Sequence, residues 1–142
     1  MITDSQKNYL KKYFENLNEI AFAFLFGSQT GRNATKLSDV DIAVYFYPIQ
    51  KNPIEFEAEI YYDCENKIWS DVERILKKEV DLVVLNRVSA SVAASAIKGV
   101  SLAINDWGLY LDFMEVVVAE AYDYLDFIIN HYREREVFAK RS

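Results

Sequence analysis

The chain has 142 residues, a net charge of −6, one cysteine, four glycines and two prolines. A chain of that length buries about two thirds of its unfolded surface, enough for a core without disulfide staples, and one cysteine excludes an internal disulfide. The acidic balance lacks the basic face that proteins neutralising nucleic-acid phosphates carry, and no apolar run is long enough to span a bilayer, so neither nucleic acid nor membrane is an expected partner.

Taken from the amino terminus, Met1-Ile2-Thr3-Asp4 is polar and unlike a secretion signal, which implies a cytoplasmic protein. Thr3 with Gln6 reads as a capping box opening a helix whose apolar stripe is Leu10, Tyr13, Phe14 and Leu17. Ala21 to Phe26 and Val40 to Phe46 are apolar and rich in β-branched and aromatic residues, and both read as strands. After the second, Asn52-Pro53 with Glu55 predicts the start of a long helix with apolar positions Phe56, Ile60, Cys64, Ile68, Val72 and Leu76. On that stripe Cys64 reads as a buried thiol. Lys77-Lys78 suits a helix end, where cations complement the dipole.

Val80 to Leu85 predicts a third strand, ending at the turn-like Asn86. Ser89 caps a small-residue helix running to Lys98 and stopped by Gly99, and Val100 to Ile104 fits a short edge strand. A last helix is expected from about residue 106 to 136. Its residues Leu111, Met114, Val118, Ala121, Leu125, Ile128 and Tyr132 recur by threes and fours, a seam suited to packing on the sheet. A second stripe, Tyr110, Phe113, Val117, Tyr124 and Phe127, widens the apolar face and is read as a surface for another protein. His131 has no second imidazole or thiol to join in a zinc site and reads as a helix-surface residue. No linker or repeat divides the chain. The expectation is one α+β domain over residues 1–142, a small mixed sheet with flanking helices.

The chemistry concentrates after the first strand. Gly27-Ser28 is followed by ten residues and then by Asp39-Val40-Asp41. Strand side chains alternate faces, which puts Asp39 and Asp41 on one side while Val40, Ile42 and Val44 enter the core. Two carboxylates on one face repel unless a cation sits between them, and a hard divalent ion, Mg²⁺, takes oxygen ligands together with substrate phosphates. Gly27 permits close backbone approach to a ligand, and the Ser28 amide and hydroxyl suit an anion. Asp81, the one charge in its apolar strand, is either a third carboxylate ligand or a solvent-exposed strand-edge residue.

Gly27-Ser28, ten residues, then Asp39-Val40-Asp41-Ile42-Ala43-Val44 resembles the signature of the DNA polymerase beta superfamily of nucleotidyltransferases, over Ala21 to Leu85. The length resembles its minimal nucleotidyltransferase (MNT) branch, which supplies antitoxins of HEPN/MNT toxin–antitoxin systems. Where members of the branch often carry Arg-Gly, this loop has Gly31-Arg32, which leaves open whether Arg32 contacts phosphate. The resemblance implies a polymerase-beta-like fold and makes Asp81 the third ligand. Asp39, Asp41 and Asp81 then hold two Mg²⁺ ions, Gly27 and Ser28 take the ATP triphosphate, and Asp81 can draw the proton from the incoming hydroxyl. The implied reaction is AMP transfer from ATP to a tyrosine of a cognate HEPN ribonuclease toxin in a hetero-oligomer. The alternatives are an aminoglycoside-type small-molecule nucleotidyltransferase and a non-catalytic antitoxin that acts by binding.

Overall fold

The computed structural model describes residues 2–27, 40–49 and 54–141. Helix α1 (Asp4–Glu15) leads into strands β1 (Ile20–Phe26) and β2 (Val40–Phe46), followed by α2 (Glu65–Leu76), β3 (Val80–Val84), α3 (Ala90–Ile97), β4 (Val100–Ile104) and α4 (Trp107–Arg141). The sheet order is β3-β2-β1-β4. The β1 strand runs antiparallel to β2 and β4, whereas β2 and β3 are parallel, so the sheet is mixed as expected.

Local chemistry accounts for several boundaries. Thr3 and Gln6 form the complete capping box, each side chain taking the other's backbone N–H. The Ser89 hydroxyl accepts from the Val92 amide at the start of α3. Lys77 closes α2 in the left-handed region at φ 54°, its N–H returning to the Glu73 carbonyl. Among the described residues β4 pairs only with β1, as the predicted edge strand does.

Two apolar layers sandwich the sheet. One face joins Leu10 and Phe14 of α1, Val40, Ile42 and Val44 of β2, and Ile68, Val72 and Leu76 of α2. On the other, Phe22, Phe24, Ala43 and Tyr45 pack against Ala93 and Ala96 of α3 and Phe113 and Val117 of α4. Phe22 and Tyr45 stack there with centroids 4.8 Å apart, and Phe113 lies 4.6 Å from Tyr45.

Three expectations need correction. The second helix begins at Glu65, not near Pro53, and described residues 54–64 form an irregular strap. Its reason is tertiary hydrogen bonding. Glu55 is buried, donates its amide to the Tyr45 hydroxyl at 2.9 Å, and accepts from the Ile49 amide and the Tyr62 hydroxyl with its carboxylate. These bonds hold the backbone away from helix, and Glu57 at φ 57° breaks the path further. Desolvation pushes the Tyr45 hydroxyl up to about 12, and it donates to the Glu55 carbonyl.

Cys64 consequently lies at the N-cap of α2, half-buried, with its thiol pushed up first by desolvation and then by Glu19. The third correction concerns α4. Phe113 and Val117, assigned to a partner surface, are fully buried against the sheet, while Leu111 and Val118 of the presumed core seam are 50% and 38% exposed. The helix also continues past 136 to Arg141. The side chains of Tyr124, Leu125, Phe127, Ile128, His131 and Tyr132 lie outside the described set, as do Asn52 and Pro53.

A buried amide finishes the sheet beyond β3. Asn86 accepts from the Phe46 amide at 2.9 Å and donates to the Phe46 carbonyl at 3.0 Å, satisfying both backbone groups with one side chain.

Candidate active site

Asp41 and Asp81 are direct register partners on adjacent parallel strands. Their side chains therefore leave the sheet on the same face, at neighbouring positions. That face is the one whose later positions, Ala43 and Tyr45, are roofed by α3 and α4. Asp41 is half-buried and Asp81 exposed, so the two carboxylates stand where the apolar roof gives way to solvent.

The glycine completes the arrangement from the other side. Phe26 opposes Asp41 across the β1–β2 ladder, and Gly27 follows at φ +84°. A Cβ on Gly27 would lie 2.0 Å from Asp41 Oδ2 and 3.0 Å from its Cγ. Glycine is required twice over, by the backbone conformation and by the space the carboxylate occupies.

The strand carrying Asp81 is held at its start by α2. Trp69 donates its indole N–H to the Val80 carbonyl at 2.6 Å, and the Val80 amide donates to Glu73 Oε2 at 3.1 Å. Val40 donates to the Glu79 carbonyl at 3.4 Å, tying the two strand starts together. The strap is fastened to the far end of β3 by Arg87, which donates to Glu65 at 2.8 and 2.5 Å and to the Ile60 carbonyl at 3.2 Å. Burial raises the Glu65 carboxyl, but the Arg87 and Tyr62 hydrogen bonds outweigh it and leave it below the usual carboxylate range.

Of the sequence-predicted residues, Gly27, Asp41 and Asp81 are brought together. Ser28, Asp39 and Arg32 lie outside the described residues, and no group of three potential metal ligands occurs among the described ones. The two carboxylates side by side, with a glycine backbone against one of them, fit a hard oxygen-seeking cation. Sequence reading missed Trp69, Glu73 and Asn86 as supports. Their partners are backbone groups, which leave no signal in side-chain patterning.

The family model "Polymerase beta, Nucleotidyltransferase" matches residues 8–106, from α1 to the loop before α4. No curated protein matches the chain. Among solved structures, the complex of tri-AMPylated Shewanella oneidensis HEPN toxin with MNT antitoxin contains a chain with TM-score 0.58 and 18% identity, covering 94% of this chain and 97% of its own. A toxin–antitoxin with AMP-PNP gives TM-score 0.61 at 19% identity, covering 93% and 98%. The toxin–antitoxin MntA-HepT gives 0.58 at 18%, covering 95% and 99%. At these identities the likeness is one of fold.

Proposed function

The chain belongs to the polymerase beta nucleotidyltransferase family, and from that premise we propose that it is a Mg²⁺-dependent enzyme transferring AMP from ATP to a hydroxyl of a cognate HEPN toxin, with pyrophosphate as the leaving group. The observation that carries the reading is the parallel register of Asp41 with Asp81 beside the Gly27 backbone. Support for the acceptor comes from the similarly folded structures, one of a tri-AMPylated HEPN toxin with its MNT antitoxin and one containing AMP-PNP.

In this reading Asp39, Asp41 and Asp81 hold the metal and Gly27 with Ser28 receives the triphosphate. Bound Mg²⁺ would supply charge stabilisation for the phosphoryl oxygens. Asp81, the more exposed carboxylate of the pair, stands where an acceptor hydroxyl can reach it and lose its proton. Half-buried Asp41, whose carboxylate fills the space a side chain at residue 27 would take, orients the nucleotide. The whole of residues 1–142 acts as one nucleotidyltransferase domain, with α4 lying outside the family match. Use of ATP as substrate supports a cytoplasmic location.

The test mixes the chain with ATP labelled on the α-phosphate, Mg²⁺ and the product of the adjacent gene. Label on that protein is the expected outcome. Label on a small molecule would indicate an aminoglycoside-type transferase, and no label at all would indicate an antitoxin acting by binding alone.

A further inference from the structure

Helix α4 is 35 residues long, about 52 Å, and among the described residues its buried contacts with α3 and the sheet are made by Phe113 and Val117 in its first third. Its core-facing residues Tyr110, Phe113 and Val117 leave a second apolar stripe turned roughly 120° away, given about 100° per residue. Along that stripe Leu111, Val118, Tyr122 and Ile129 are 50%, 38%, 63% and 47% exposed. Leu111 and Val118 stand at first positions of a heptad repeat that the sequence continues with Met114, Ala121, Leu125, Ile128 and Tyr132, apolar at every first and fourth position, while Tyr122 and Ile129 flank it at the fifth. A seam of that regularity on an exposed helix calls for another helix.

The charges along α4 identify which one. Residues 107–126 carry Asp112, Glu115, Glu120, Asp123 and Asp126 and no base, whereas residues 127–142 carry Arg133, Arg135, Lys140 and Arg141 against Glu134 and Glu136. Exposed Glu115 and exposed Arg133 fall on the same flank of the seam. In an antiparallel pair related by a two-fold axis, like flanks face each other and the acidic half of one helix meets the basic half of the other. The chain is thus its own complement.

We infer that α4 pairs antiparallel with α4 of a second copy, making a homodimer in which the distal half of each helix covers the exposed proximal seam of the other. Matching first to fourth heptad positions sets position 118 of one helix beside position 128 of the other, and brings Glu115 near Arg133 of the second copy. This assignment is independent of the proposed reaction.

Sedimentation equilibrium of the full chain should give twice the 16.5 kDa mass of one copy. Val118→Glu should yield monomer with the far-UV circular dichroism and thermal midpoint of a folded protein, because Val118 lies outside the core. Glu115→Arg should weaken the dimer at least tenfold, and adding Arg133→Glu should restore it. In a Cys64→Ser background, Val118→Cys with Ile128→Cys should form an intermolecular disulfide that neither single change forms. A wild-type chain monomeric at about 100 µM overturns the proposal. So does a dimer that Val118→Glu leaves intact, or a disulfide from Val118→Cys alone, the mark of a parallel pair.

Discussion

Gly27 and Asp41 occupy space that a single methyl group would contest. The ideal Cβ position of Gly27 lies 2.0 Å from Asp41 Oδ2, at a backbone φ of +84°. Gly27→Ala is therefore expected to cost about 1–3 kcal/mol through backbone strain and to swing the carboxylate out of line with Asp81. Thermal denaturation reads the first effect and the rate of AMP transfer the second. A variant with unchanged rate would show that the contact does not orient Asp41.

Replacing Asp81 by Asn should leave the fold intact, because the residue is exposed, while lowering AMP transfer by about 10²–10³-fold through loss of charge stabilisation and proton acceptance. Nucleotide binding should persist in part, through the remaining carboxylates, and calorimetry with Mg²⁺ and a non-hydrolysable ATP analogue measures it. Full activity would remove Asp81 from the site and direct attention to Glu79.

Asp41 and Asp81, register neighbours of like charge, repel in metal-free buffer. Asp41→Asn should accordingly hold or raise the thermal midpoint when no divalent ion is present. Mg²⁺ at 100 times its dissociation constant should stabilise the wild type by about 2.7 kcal/mol and the variant by much less. Equal stabilisation of both proteins would place the ion elsewhere.

The Arg87–Glu65 pair gives a pH-dependent term with a definite sign. Glu65 has its carboxyl below the ordinary value of 4.5 in the folded protein. Its contribution to stability is present above that ordinary value and is lost as pH falls through the folded one. Arg87→Gln should cost about 1–2 kcal/mol at neutral pH, the side chains being mostly buried, and progressively less below about pH 4.5. Urea melts of both proteins across pH 3–7 would expose a pH-independent difference, which would refute the assignment.

Phe113 is fully buried between Phe22, Tyr45 and Phe56. Phe113→Ala should destabilise the chain by about 3–5 kcal/mol, whereas Leu111→Ala in dilute solution should cost less than about 1 kcal/mol. The reverse order in chemical denaturation would reinstate the 111–118 stripe as core.

Alternation along β2 and β3 made the carboxylate face legible from sequence, because Val40, Ile42 and Val44 could serve only as core. Thr3 and Ser89 announced their helices through local hydrogen bonds that any reader of the chain can place. The strap over 54–64 was not legible, since its helix-like apolar spacing is overruled by Glu55 bonding to Tyr45 and Tyr62, partners fixed only after the sheet forms. The two stripes of α4 posed a different difficulty. Both have helical period, and periodicity says that a face is apolar without saying which neighbour it meets. The pairing of Asp41 with Asp81 likewise depends on strand register across 40 residues of sequence, which no local pattern specifies.

Asn86 gives that register a guard. Its side chain clasps the Phe46 amide and carbonyl just past the end of β3, so β3 can slide along β2 only by unclasping both bonds and stranding buried polar groups. A slide of one residue would turn Asp81 to the opposite face of the sheet and dissolve its partnership with Asp41. An amide five positions downstream of the carboxylate thus acts as the detent that keeps the acidic pair in alignment.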